Sequence, residues 1–162
     1  MDEDKLNRLP PDVKKQFVKL ALKLSEKKTK TKVNDDFLTF VKHVWPEFIE
    51  GKHHKEIAEK FNQIARGEIK RLIINMPPRH TKSEFASFLL PSWMVGRKPN
   101  LKIIQTTHTT ELAIRFGRKA KTLMDSAEYK QVFKTRLRED SQAAGKWETE
   151  QGGEYYAAGV GS

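Results

Sequence analysis

The chain contains no cysteine. That excludes a disulfide framework and any thiolate metal site, and it fits a reducing compartment. No apolar run approaches the ~18 residues that a bilayer span requires, so no transmembrane segment is expected. The first residues, Met1-Asp2-Glu3-Asp4, are acidic and lead into no apolar stretch, so they do not read as a secretory signal. Acidic residues are scarce relative to basic ones, 21 against 31, giving a formal charge of +10. Such an excess suits a polyanionic partner, with nucleic acid the first candidate. Much of the lysine lies in the first 32 residues, where a solvated helix face accounts for it equally well. There is no internal repeat and no long low-complexity tract. A length of 162 residues suits one domain with a real core.

The spacing of Val13, Phe17, Leu20, Ala21 and Leu24 predicts an amphipathic helix that starts behind Pro10 and Pro11, with Asp12 as its cap. Glu26 to Lys32 has no apolar period and reads as a basic linker. Residues 1–33 thus form an N-terminal helical segment ahead of a domain over 34–162. Asn34 is read as the cap of a short helix carrying Phe37, Leu38, Phe40 and Val41, ending before Pro46. Ile57, Ala58, Phe61, Ile64 and Ala65 line one face of a helix that Gly67 ends.

Arg71 to Met76 is apolar on both faces and reads as a central parallel strand. Ser83 to about Val95 reads as a helix that Pro91 bends or ends. Leu101 to Thr106 is a second strand, Thr109 to Met124 a strong amphipathic helix, and Ala127 to Leu137 a further helix. Lys146 to Thr149 and Glu154 to Ala158 form a hairpin through Gly152-Gly153, with Glu148, Glu150 and Glu154 as its exposed charges. The alternation of elements predicts an α/β fold built on a parallel sheet with flanking helices.

The chemistry-bearing stretch is Pro77-Pro78-Arg79-His80-Thr81-Lys82-Ser83-Glu84. An apolar segment, a turn, Lys-Ser and a helix in that order match the build of a phosphate-binding loop. There, backbone N–H groups and a helix N-terminus face the anion, lysine neutralises the β- and γ-phosphates, and a hydroxyl meets Mg²⁺. Against Gly-x-x-x-x-Gly-Lys-[Ser/Thr], Lys82 and Ser83 fit, whereas Met76 and Thr81 stand at the two glycine positions. Glycine is favoured there because the loop needs positive φ and close backbone approach. A basic turn between strand and helix is the plainer account of the same residues.

The same string resembles the ATPase loop of the large terminase subunit of tailed bacteriophages, which often opens Pro-Pro-Arg-His and lacks the first glycine. Gly51-Lys52-His53-His54 with Ile57-Ala58, and Ala65 through Asn75, resemble that family's approach to its loop. Thr107 to Arg118 and Gly153 to Ser162 resemble later segments, so the similarity covers roughly Asp36 to Ser162. The resemblance implies a P-loop NTPase fold of the RecA or ASCE kind, here incomplete: the paired acids that hold Mg²⁺ and activate water, and the nuclease domain, would follow Ser162. It implies ATP and Mg²⁺ as cofactors and double-stranded viral DNA, a portal protein and a small terminase subunit as partners. A homo-oligomeric ring when full length, and action in the host cytoplasm without a membrane partner, are also implied. A fragment lacking the water-activating acid is expected to hydrolyse ATP poorly or not at all.

In that scheme Lys82 stabilises γ-phosphoryl charge and Ser83 binds the metal, unless Ser83 only caps the helix. Arg79 contacts the γ-phosphate, a role suited to a planar, permanently charged guanidinium, or else is a surface arginine. Pro78, His80 and Thr81 complete the nucleotide-binding loop, His80 in a structural rather than a basic role. Glu84 is a first-turn acid favoured by the helix dipole. His54 is placed near the adenine. His53 and His54, adjacent on a helix, are not expected to share a face as metal ligands would. Thr106, Thr107, His108 and Thr109 either face a ligand or lead into a helix cap. Arg115, Arg118 and Lys119 share a helix face that contacts DNA phosphate or is merely solvated. The competing readings are a non-catalytic docking module for nucleic acid or a protein partner, and a helicase-like ATPase.

Overall fold

The computed structural model describes residues 10–160. Met1 to Leu9, and the final Gly161-Ser162 of the terminase-like ending, lie outside them. Helix α1 (Pro11–Asp35) starts at an N-cap on Pro10 with Pro11 at its first position, so Asp12 is a first-turn acid and not the cap. The expected linker is helical as well. Lysine and glutamate propagate a helix already nucleated upstream, and the hydroxyls of Thr29 and Thr31 donate to the carbonyls of Ser25 and Lys27 at 3.0 Å. Only Val33 of this helix is buried. Its carbonyl accepts from Trp93 Nε1 at 3.1 Å, fixing the C-terminal end of α1 to the body. Val13, Phe17, Leu20 and Leu24, the predicted apolar stripe, remain exposed.

Helix α2 (Phe37–Val44) is capped by Asp36 rather than Asn34. Asp36 accepts from the Thr39 N–H at 2.7 Å and the Thr39 hydroxyl at 2.6 Å. Asn34 instead donates to Asp35. Helix α3 (Lys52–Arg66) is as expected, ending at Gly67 in the left-handed region with φ 81°. Asn62 of α3 closes the junction with α2. Its Oδ1 accepts from the Phe37 N–H, and its Nδ2 donates to Asp36 Oδ1, both at 2.8 Å.

Arg71 to Met76 is extended but is not a strand of the sheet. Leu72, Ile74 and Met76 pack on the core, while Ile73 is 86% exposed. An apolar extended segment becomes a ladder strand only where a neighbour offers its backbone groups, and among the described residues no strand pairs with this one. After the loop come α4 (Lys82–Glu84), a π-helical turn (Phe85–Leu89) and α5 (Leu90–Arg97), which form one continuous helical rod. Pro91 neither ends it nor breaks it. The π turn widens the helix just ahead of the proline, with the Leu90 N–H bonded back to the Phe85 carbonyl.

Strand β1 (Lys102–Thr107) leads into α6 (Thr110–Asp125), capped by the Thr109 hydroxyl, which accepts from the Leu112 N–H at 3.3 Å. Helix α7 (Ala127–Val132) is shorter than expected, and Leu137 opens a strand instead of closing that helix. Strands β2 (Leu137–Ala143), β3 (Lys146–Thr149) and β4 (Glu154–Gly159) follow. The sheet order is β1-β4-β3-β2, with only β1 and β4 parallel. The fold is α/β, but the sheet is mixed and mostly antiparallel, not the parallel sheet expected. The short turns at 144–145 and 150–153 force β2, β3 and β4 to reverse direction.

The core joins the helices to the inner face of the sheet. Phe37 is its hub, meeting Phe61, Phe85 and Trp93 edge-on at 5.0, 5.4 and 5.4 Å between ring centres. Helices α2, α3 and the rod after the loop thus converge behind residues 76–84.

Candidate functional site

Residues Met76 to Glu84 curl round an open hollow of about 550 Å³ that all nine of them line. The curl depends on two non-glycine residues in the left-handed region, Arg79 at φ 65° and Thr81 at φ 59°. A β-branched residue there is sterically costly, so the backbone reaches the conformation that glycine normally supplies without having glycine. The Lys82 ammonium donates to the Met76 carbonyl at 3.3 Å, closing the loop on itself. The Phe85 N–H bonds to the Thr81 carbonyl at 2.9 Å, which begins the helical rod at the loop's end. The first N–H groups of that rod have no helical partner of their own.

His80, exposed, donates from Nδ1 to the Pro78 carbonyl at 2.9 Å and braces the turn. Pro78, Arg79, His80, Thr81, Lys82 and Ser83 all line this one hollow. Glu84 pairs with Lys119 of α6 at 2.6 Å. That contact engages the Lys119 charge, while Arg115 and Arg118 stay exposed on α6; the two arginines line a shallow hollow with Thr109 and Leu112 and another with Lys119 and Phe88. Thr107 donates its hydroxyl to the Thr109 carbonyl at 2.6 Å, so Thr107 and Thr109 shape the entry to α6. His108 and Thr106 are exposed.

His54 is buried, 6% exposed, and sits behind the loop rather than beside open space. Its ring packs on Phe48 and Phe85 at 4.8 and 5.0 Å. His53 and His54 do meet: their ring centres are 3.8 Å apart, because both lie in the first turn of α3 beside a glycine. His54 Nδ1 accepts from the Gly51 N–H at 2.9 Å, and Nε2 lies 2.7 Å from the Thr81 hydroxyl. Burial and the neighbouring His53 hold the His54 pKa below its ordinary value. The family resemblance implies an adenine contact for His54, whereas its ring is enclosed by Phe48, Phe85 and His53. Its tie to Thr81 spans 27 residues and leaves no local signature.

Among the described residues no cluster of three histidine, cysteine or acidic side chains could hold a metal ion, and no helix is long and apolar enough to cross a membrane. Comparison with protein-family models, with curated proteins and with solved structures returned no match in any of the three.

Proposed function

We propose that this chain is the nucleotide-binding part of an ATP-driven motor that packages viral DNA, of the large terminase subunit type. The observation that carries the reading is the closed curl of residues 76–84 around a hollow at the start of a helical rod. Lysine, hydroxyl and arginine all stand on its rim. Backbone amides, helix N-terminus and a lysine converging on one hollow are what a polyphosphate requires.

On this reading Lys82 exchanges its weak bond to the Met76 carbonyl for phosphate oxygens, and Arg79 adds a second permanent positive charge. Mg²⁺ arriving with the nucleotide would neutralise phosphate charge, and Ser83 is its protein ligand. One hydroxyl fits an ion held mainly by phosphate oxygens and water. Arg115 and Arg118, exposed on α6, are the proposed contacts to the DNA backbone. The portal, the small terminase subunit and a ring assembly follow from the family resemblance alone.

Calorimetric titration of ATP with and without Mg²⁺ tests the proposal. The expected outcome is binding that favours the magnesium complex and is lost in Lys82→Ala. Binding indifferent to Mg²⁺ and to Lys82 would instead favour an anion-docking module without turnover.

A further inference from the structure

The loop lacks the glycine that normally permits its positive φ, and a buried histidine stands behind the residue that replaced it. The polarity of the contacts around His54 is determined. Gly51 N–H is a donor, so His54 Nδ1 accepts and the neutral ring carries its proton on Nε2. Nε2–H therefore donates to Thr81 Oγ1 at 2.7 Å. The Thr81 hydroxyl keeps its own proton for the His80 carbonyl, also 2.7 Å away. Amide, imidazole, hydroxyl and carbonyl form one chain in which every donor has an acceptor. The chain runs from the cap of α3 into the strained residue of the loop.

We propose that His54 is a positioning residue that replaces the missing glycine. It holds Thr81 at φ 59° through its hydroxyl and so keeps the 78–83 backbone curled to receive polyphosphate. The ring is itself held rigidly, between Phe48, Phe85 and His53 and by its bond to Gly51. Thr81 in turn has a reason to be threonine: its hydroxyl is the only part of the residue that accepts from one side of the loop and donates to the other. The inference rests on the phosphate-loop reading only for its consequence, not for the latch.

A double-mutant cycle between positions 54 and 81 is the test. His54→Asn retains an acceptor for the Gly51 N–H but no longer reaches Thr81. Thr81→Val keeps the β-branched shape without the hydroxyl. Each is expected to weaken MgATP binding about tenfold, the loss of one part-buried hydrogen bond. With glycine at position 81, which needs no latch, His54→Asn is expected to have no further effect on affinity. The distance between the residue 81 amide and α protons, which is short only at positive φ, is read from their nuclear Overhauser effect without ligand in the same variants and reports the loop directly. It should be short in the parent chain and lengthen in the valine and asparagine variants. If the parent chain binds no nucleotide yet the distance behaves in this way, the nucleotide reading falls and the latch stands. If His54→Asn leaves the distance unchanged, or weakens binding equally with glycine at 81, the latch is overturned.

Discussion

Lys119 of α6 and Glu84, the third residue of the rod after the loop, form an ion pair at 2.6 Å across 35 residues of sequence. Both side chains are about one-third exposed. The same ammonium lies over the Phe88 ring at 5.6 Å. The loop's helix and the basic helix are thereby joined through the lysine that shares a helix face with Arg115 and Arg118.

A difference in salt response follows. If α6 contacts DNA, removing Arg115 or Arg118 should reduce the slope of log affinity against log salt by about 0.9 each. Lys119→Ala should change it much less, because its charge already has a partner. Fluorescence titration of a duplex at several salt concentrations separates the two cases, and equal slopes for all three variants would refute the assignment.

The Asp36–Asn62 junction predicts a stability effect remote from the loop. Asn62 is 6% exposed and uses both ends of its amide. Asn62→Ala leaves the Phe37 N–H without its acceptor and should cost about 2–3 kcal/mol, read as a lowered urea midpoint. Asn62→Asp restores only the acceptor and sets a second negative charge beside Asp36, so it should not recover the loss.

Gly117 of α6 faces the turn before β3. A Cβ on it would lie 2.3 Å from the Ala144 carbonyl oxygen and 2.9 Å from the Tyr155 ring. Backbone cannot retreat as a flexible side chain can, so Gly117→Ala should destabilise by about 1–3 kcal/mol despite glycine's poor helix propensity. A thermal melt that rises with the substitution would contradict this packing.

Tyr155 stacks on Trp147 at 4.6 Å with nearly parallel rings, and its buried hydroxyl has no hydrogen-bond partner. Burial alone pushes its pKa up to about 12. Removing an unpaired buried polar atom relieves a desolvation cost, so Tyr155→Phe should leave the melting temperature unchanged or raise it.

Acid sensitivity should come from His54. Its native pKa is lowered by burial and by the neighbouring His53 and His80, with Glu50 acting in the opposite direction. Below about 6.5, the unfolded value, the unfolded chain binds more protons than the native one, so stability falls as pH falls. Above that value the contribution is complete. Urea midpoints at pH 7.5 and 5.5 should diverge in the parent chain and converge in His54→Asn, and an equal drop in both would assign the effect elsewhere.

The local periodicities carried most of the helical architecture. Ile57, Ala58, Phe61 and Ala65 marked α3, and Ala113, Phe116 and Ala120 marked α6, because a stripe of apolar residues at helical spacing is written within one element. The β3–β4 hairpin was legible for the same reason, its turn residues lying inside four positions. Glu26 to Lys32 misled because a helix, once nucleated, propagates through residues that carry no apolar period.

What lay between distant segments was not legible. Whether Arg71 to Met76 becomes a strand depends on a neighbour elsewhere in the chain, and the direction of the sheet depends on which strands meet. Sequence by itself determined the order of residues in the loop, its charge and the helix that follows. Tertiary structure alone decided how a threonine stands where positive φ is required, because the histidine that bonds to it comes from another helix. A hydrogen bond between residues 27 positions apart has no period to be read, only a geometry.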